Sequence, residues 1–268
     1  MGKAMARRTT GPEADAELSS TGAQRDAFLR DGLVVVPGLF DEEEIARISA
    51  WTDELEGLPD APGRSMKYFE PSLLRPGERV LQRIENVCLF HAGFAALCAS
   101  DKLLGSASRL FGEAAVLFKD KINFKLPGGD GFKPHQDQQA GWSAYADLFI
   151  TAMVSIDATT AENGCLELCA GHHTRGLIGE EWKPLTDEDM RRLGGHPVPT
   201  RPGDAVFFDS YTPHASGPNL TAERRRVLYI TYNRRSAGDH RVRYYADKRK
   251  SFPPDIERDP TRTYTFRV

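Results

Sequence analysis

The pattern of apolar and polar positions changes character near residue 116. Before it, apolar residues recur at helical spacing; after it, they fall into short runs that alternate with polar residues. Ala23 to Arg30 is helical in character, and Val34-Val35-Val36 reads as a short buried strand. Asp41 with Glu44 forms a capping-box start for a helix reaching Leu55. Phe90-His91-Ala92-Gly93-Phe94 and Leu97 to Leu110 predict more helix, with His91 at a helix start. Strands are predicted at Val116 to Leu126, Leu148 to Ile156, Cys165 to Cys169, Asp204 to Phe208 and Val227 to Tyr232. Thr186-Asp187-Glu188-Asp189 caps a short helix ending at Gly194-Gly195, an insertion placed to form part of a lid.

In the strand from Val116, alternation sets Lys119, Lys121, Asn123 and Lys125 on one face. Phe118, Ile122, Phe124 and Leu126 fall on the other, with Asp120 the exception. Two readings stand for that polar stripe: the solvated face of an edge strand, or a set of groups lining a barrel mouth and meeting anions. The stripe runs directly into Pro127-Gly128-Gly129-Asp130-Gly131 and then to His135.

His135 and Asp137 are one residue apart, and His214 lies far downstream. At a spacing of two on a strand, His135 and Asp137 share a face while Gln136 looks the other way. His214 follows a tight-turn signal, Pro202-Gly203-Asp204, and the apolar run Ala205-Val206-Phe207-Phe208, which brings it in from a neighbouring strand. Two imidazoles and one carboxylate on one face of an ion leave the opposite face open. That is the coordination set of non-haem Fe(II) oxygenases, and its spacing fits neither a zinc finger nor an H-E-x-x-H helix.

Arg225 leads into the strand at Val227. A planar guanidinium donates two parallel hydrogen bonds, the natural partner for a buried carboxylate, such as the far end of a dicarboxylic co-substrate. Arg224 and Arg226 flank it, and a shift of one residue would change which arginine serves. Thr151 and Met153 share a strand face and either flank the co-substrate or fill the barrel. Trp142, beyond Asp137, is a candidate pocket wall or a core aromatic. His172 and His173 read as loop residues.

Composition narrows the class. The chain has 268 residues, 40% hydrophobic and 27% charged, enough for a sizeable core; residues 21–268 are expected to form one domain behind a mobile polar arm of residues 1–20. A net charge of −3 argues against a nucleic-acid footprint. No apolar run approaches membrane-spanning length and the start lacks a secretory signal, so the cytoplasm is the default. Cys88, Cys98, Cys165 and Cys169 show no C-x-x-C pairing and read as reduced packing residues. Oligomeric state leaves no mark in the chain.

Taken in order, Phe28 to Phe40, His135-Gln136-Asp137, Glu162-Asn163-Gly164-Cys165-Leu166-Glu167 and the stretch from His214 to Arg225 give a chain that resembles the phytanoyl-CoA dioxygenase-like Fe(II)/2-oxoglutarate oxygenases. The resemblance implies a double-stranded β-helix, the jelly-roll or cupin-like barrel, mainly β with flanking helices. It implies that His135, Asp137 and His214 hold Fe(II), and that Arg225, with Ser216 beside it, pairs with 2-oxoglutarate. Asn123 would present an amide to the co-substrate, and Thr151 would flank it. Dioxygen would be the second co-substrate, with succinate and carbon dioxide released. Halogenating relatives lack the carboxylate; this chain keeps Asp137, which favours hydroxylation. The usual Pro-Gly-Ser-His reads Ala170-Gly171-His172-His173 here.

The combination Lys-x-Asn-x-Lys, His-Gln-Asp-x-x-Ala-Gly-Trp and Gly179-Glu180-Glu181-Trp182 is similar to a branch that hydroxylates small aminophosphonates such as 2-aminoethylphosphonate. Lys121, Lys125 and Trp142 would then meet the substrate. A hydroxylase tailoring a natural-product scaffold is the competing enzyme. A non-catalytic metal-binding barrel or sensor would use the same three ligands, but would need no Arg225.

Overall fold

The computed structural model describes residues 12–265, with side chains from residue 22 onward. In chain order its strands are β1 (Leu33–Val36), β2 (Met66–Pro71), β3 (Arg79–Glu85), β4 (Ala115–Lys125), β5 (Phe132–His135), β6 (Phe149–Ser155), β7 (Leu166–Leu168), β8 (His196–Val198), β9 (Ala205–Asp209), β10 (His214–Ser216) and β11 (Arg225–Arg234). Its helices are α1 (Pro12–Asp31), α2 (Glu42–Gly57), α3 (Ala92–Cys98), α4 (Ser106–Phe111), α5 (Asp187–Arg192) and α6 (Arg241–Ser251). A seven-stranded sheet runs β1-β9-β6-β11-β4-β3-β2, and a four-stranded sheet runs β5-β10-β7-β8. All pairings in both are antiparallel, as the jelly-roll expectation requires.

The central strands β6 and β11 are buried on both faces, which is why they read as near-continuous apolar runs. Alternation assigns each residue to a layer. Ile150, Ala152, Val154, Leu228, Ile230 and Tyr232 join the core beneath α1–α4, with Phe28, Ile48, Leu55 and Phe94. Met153, Val227 and Tyr229 point the other way and pack with Leu166, Leu168 and Val198 of the smaller sheet. The functional groups sit between the two sheets, on this second face.

Several expectations are met. Asp41 caps α2 and closes a capping box with Glu44, and His91 caps α3 by accepting from Phe94 N. All four cysteines are free and buried, with Cys88 and Cys98 side by side. No helix among the described residues is long and apolar enough to cross a membrane.

Other expectations change. Residues 1–11 of the expected arm lie outside the described residues, and from Pro12 the backbone is already helical, earlier than the expected Ala23 start; Glu, Ala and Leu there favour helix. Strands β2 and β3 had no counterpart in the sequence reading. In β4, Phe118 does not share the Ile122 face. A bulge lies opposite Thr231/Tyr232 of β11, so Phe118 leaves the alternation and joins Trp142, Phe149 and Tyr244. Asp120, the polar exception, is fully buried and paired with Arg241 of α6 at 2.7 Å, which offsets its desolvation. Helix α5 is where the capping signal places it, but Met190 packs on Cys169 and Ala215, bracing the smaller sheet; Glu181 and Trp182, just before it, reach the cleft instead.

Arg226 shows how α2 is tied to the barrel. Its guanidinium donates twice to Asp157 at 2.8 Å, to Asp53 of α2 at 2.7 Å and to Ser49 at 2.9 Å. Because Asp53 is half exposed, the loss is discounted: Arg226→Leu is expected to lower stability by about 1–3 kcal/mol. Urea unfolding checks this; an unchanged midpoint would remove the tether from the account of the fold.

Candidate metal and co-substrate site

Antiparallel pairing of β5 with β10 places His214 opposite His135, with ring centroids 4.2 Å apart. The strand ends at His135, so Asp137 is not on it as expected. Gln136 stays extended (φ −107, ψ 135) and caps a 3-10 turn that begins at Asp137. One extended residue still returns the Asp137 carboxylate to the His135 side. Gln136 faces away, donating to Gly176 O and Tyr211 O and accepting from Ile178 N, which locks the turn.

The result is a cluster of His135, Asp137 and His214 whose candidate ligand atoms lie within 4.8 Å of one another. Asp137 Oδ1 is 3.9 Å from His135 Nε2 and 4.0 Å from His214 Nε2, close enough for one ion to touch all three. The far sides of the ligands are also arranged. His135 Nδ1 lies 2.6 Å from Lys133 O and His214 Nδ1 3.0 Å from Thr212 O; donation there leaves each Nε2 lone pair facing the centre. The Thr151 hydroxyl donates to Asp137 Oδ2 at 3.2 Å, leaving Oδ1 free. Thr151, expected beside the co-substrate, lines the inner cavity with the triad, and its hydroxyl is shared between Asp137 and Thr231.

Electrostatics favour the ligand forms. Burial, then the neighbouring His214, pulls His135 down to about 3, and burial lowers His214. Burial would raise the Asp137 carboxyl, but the two imidazoles and Lys121 outweigh it and hold it below its usual value. Two neutral imidazoles and a carboxylate at neutral pH are what a divalent cation needs.

Arg225 sits on the inner face of β11, 1% exposed, and among the described residues its Nε and Nη2 find no hydrogen-bond partner. The Tyr229 hydroxyl, four residues on and on the same face, is the polar group beside it. An arginine cannot shed its charge when buried, so this guanidinium suits a carboxylate from outside the chain. The neighbouring arginines are engaged elsewhere: Arg226 as described, and Arg224 with Asp53 at 3.1 Å. The alternation of β11 thus settles which of the three faces inward.

Ser216 and Asn123 line the inner cavity with the triad. Lys125, expected to meet substrate, does not reach the cleft. Its ammonium donates to Ser216 Oγ at 2.7 Å and to Gly164 O at 3.3 Å, and also contacts Gly217 O. Gly164 makes this possible: at φ +73, a side chain there would collide with Gly217 O. Opposite Arg225 in the sheet, Lys125 is held down to about 6 by burial and by that guanidinium.

Outside the inner cavity opens a cleft of about 620 Å³ lined by His135, Asp137, Lys119, Lys121 and Trp142. Arg83 and Glu85 of β3, Tyr244 and Lys248 of α6, and Glu181 and Trp182 also line it. Sequence reasoning missed Arg83, Glu85, Tyr229 and Lys248. Even spacing on strands was the available signal for Arg83/Glu85 and for Arg225/Tyr229; for Lys248, in a charged helix, there was none. Trp142 serves both of its readings, packing edge-on to Phe118 and Phe149 while facing the cleft. His172, expected in a loop, caps a 3-10 turn that His173 opens, and its Nε2 lies 3.0 Å from Leu193 O.

Comparison with known proteins agrees with this geometry. Residues 28–227 match the family model for phytanoyl-CoA dioxygenase (PhyH). The chain is 42% identical over 246 residues to 2-aminoethylphosphonate dioxygenase of the uncultured bacterium HF130_AEPn_1, covering 91% of this chain and 94% of that one. It is 40% identical over 235 residues to the methylphosphonate hydroxylase of Gimesia maris, covering 87% and 88%. Among solved structures, EctD from S. alaskensis with 2-oxoglutarate and 5-hydroxyectoine superposes with a TM-score of 0.69 at 22% identity, over 80% of this chain and 76% of that one. That last likeness speaks for the double-stranded β-helix fold. The chain therefore belongs to the phytanoyl-CoA dioxygenase family, and its cofactors are Fe(II) and 2-oxoglutarate.

Proposed function

We propose that this oxygenase hydroxylates a small phosphonate, an aminophosphonate such as 2-aminoethylphosphonate being the best fit, with residues 21–268 working as one domain. The observation that carries the reading is the cationic wall of the cleft: Lys119, Lys121, Arg83 and Lys248 line it beside the triad, with Glu85 the carboxylate among them. Burial, then repulsion from Lys119, lowers Lys121 to about 7; the attraction of an arriving anion would offset both. The names of the two relatives, one acting on 2-aminoethylphosphonate and one on methylphosphonate, support the same substrate class.

His135 Nε2, His214 Nε2 and Asp137 Oδ1 would hold the iron, and Arg225 with Tyr229 and Ser216 would receive the far carboxylate of 2-oxoglutarate. When bound, the iron and 2-oxoglutarate would let dioxygen turn a C–H into C–OH, one oxygen atom going to the product and the other to the succinate that is released with carbon dioxide. The chain's own contribution is placement. Lys119 and Lys121 would anchor the anionic end next to the triad, so that the adjoining carbon faces the metal, and Trp142 with Phe118 would keep that side dry.

Turnover tests the substrate: 2-aminoethylphosphonate should drive 2-oxoglutarate-dependent succinate formation, with one oxygen added to the product by mass. Absence of both with any small phosphonate would return the field to the natural-product reading. Arg225→Leu should weaken 2-oxoglutarate binding by at least about 30-fold, the cost of deleting one partner of a buried charge pair. Calorimetry on the metal-loaded protein measures it, and unchanged affinity would refute the anchor. Thr151→Val should weaken metal binding roughly 10- to 100-fold by releasing Asp137, while Asp137→Ala should abolish turnover in a folded barrel. Retained activity in Asp137→Ala would remove it from the ligand set.

A further inference from the structure

Glu85 is a fully buried carboxylate in the cleft wall, which a simple anion trap does not need; Glu181 and Asp247 line the same cleft from more exposed positions. Its side chain is 1% exposed, on the interior face of β3 directly opposite Lys121 of β4. Oε1 accepts from Arg83 Nε at 2.7 Å and has Lys248 Nζ at 3.5 Å. Oε2 has no hydrogen-bond partner among the described residues, although it is buried and its residue lines the cleft. A buried carboxylate oxygen without a donor is costly, so it should meet one from a ligand.

Two donors on a small aminophosphonate qualify: its ammonium, or the P–O–H of its singly protonated phosphonate. The surroundings decide between them. Lys248, Lys119, Arg83 and Lys121 all act on Glu85; burial would raise its carboxyl, yet together they hold it below its usual value. An ammonium would enter a field of four cations. A hydrogen phosphonate brings negative charge for those cations and one hydroxyl for Oε2.

Resting on the phosphonate reading above, we propose that Glu85 determines specificity by accepting a hydrogen bond at Oε2 from the P–O–H of a singly protonated phosphonate. Ionised, Glu85 is an acceptor only. Oxyanions of similar shape that carry no proton at neutral pH, such as sulfonates and phosphonate monoesters, would set oxygen against oxygen at Oε2. They would be rejected even though the cations attract them. The cations supply affinity, and the buried Glu85 carboxylate beside them supplies discrimination.

The test is calorimetric binding to the anaerobic holoenzyme loaded with Fe(II) and 2-oxoglutarate. The probes are 2-aminoethylphosphonate, its sulfonate isostere, its monomethyl ester, methylphosphonate and methanesulfonate. Wild type should bind both phosphonates about tenfold or more tighter than the sulfonates and the ester. Glu85→Gln, whose amide can donate to a bare oxygen, should bring sulfonate and phosphonate close to parity. Should that variant fail to fold, the sulfonate and ester comparisons on wild type decide alone. Equal binding of sulfonates and phosphonates by wild type would overturn the Glu85 assignment and leave the substrate class intact. A preference that survives in Glu85→Gln would overturn it too, as would a loss confined to the amine-bearing phosphonate, which would hand Oε2 to the ammonium. If wild type binds neither phosphonate, the substrate reading falls and this proposal falls with it.

Discussion

Charge on the inner face of the large sheet is left unbalanced by the protein itself. That sheet is covered on one side by α1–α4 and on the other by the smaller sheet, so residues that alternation turns inward have little water to fall back on. Among them are Arg83, Lys119, Lys121, Lys125 and Arg225, against Glu85 and Asp137. Some of the excess is settled locally, as where burial and Arg225 hold the Lys125 amine down to about 6 and it donates to carbonyl oxygens. The remainder suits anions, and the proposed function fills it with a carboxylate at Arg225 and an oxyanion along the cleft. Binding preference in this molecule is thus the complement of what its core leaves unpaired.

The candidate metal site of His135, Asp137 and His214 is built by the opposite means, with its supporting hydrogen bonds already made. Backbone carbonyls of Lys133 and Thr212 hold the imidazoles by Nδ1, and Thr151 holds one oxygen of Asp137. The partner carbonyls lie two residues before each histidine, so the local backbone that positions the ligand also sets its tautomer. An ion finds three donors already aimed, and loses little to reorganisation. The unsatisfied groups lie a few residues away on β3 and β11, where ligands that come and go must be received. The partition is physical: permanent contacts around the resident cofactor, open valences toward the exchanging ones.

Chain periodicity made much of this legible. Alternation located β4, β6, β9 and β11, the capping signals located α2 and α5, and the pair His135/Asp137 with His214 marked the triad. Alternation also failed where geometry departs from an ideal strand. The bulge in β4 moved Phe118 to the other face, and the end of β5 put Asp137 on a turn. Neither leaves a composition signal, because a bulge is decided by how two strands register against each other.

What the chain determined alone was the division into two faces along the regular parts of β4, β6, β9 and β11, because a period of two needs no partner to be read. The candidate ligands His135, Asp137 and His214 were marked by their spacing, and the family resemblance set Arg225 and Ser216 together beside the expected co-substrate. Only the tertiary structure decided which of three adjacent arginines lacks a carboxylate, and that Lys125 is spent on backbone oxygens. It also decided that Arg83, Glu85 and Lys248 join Lys119 and Lys121 around one cleft. Those outcomes depend on sheet order, β11 beside β4 beside β3, with α6 supplying Lys248 to the same cleft. Pairing between segments far apart in the chain is chosen by burial over the whole molecule, which no local pattern records.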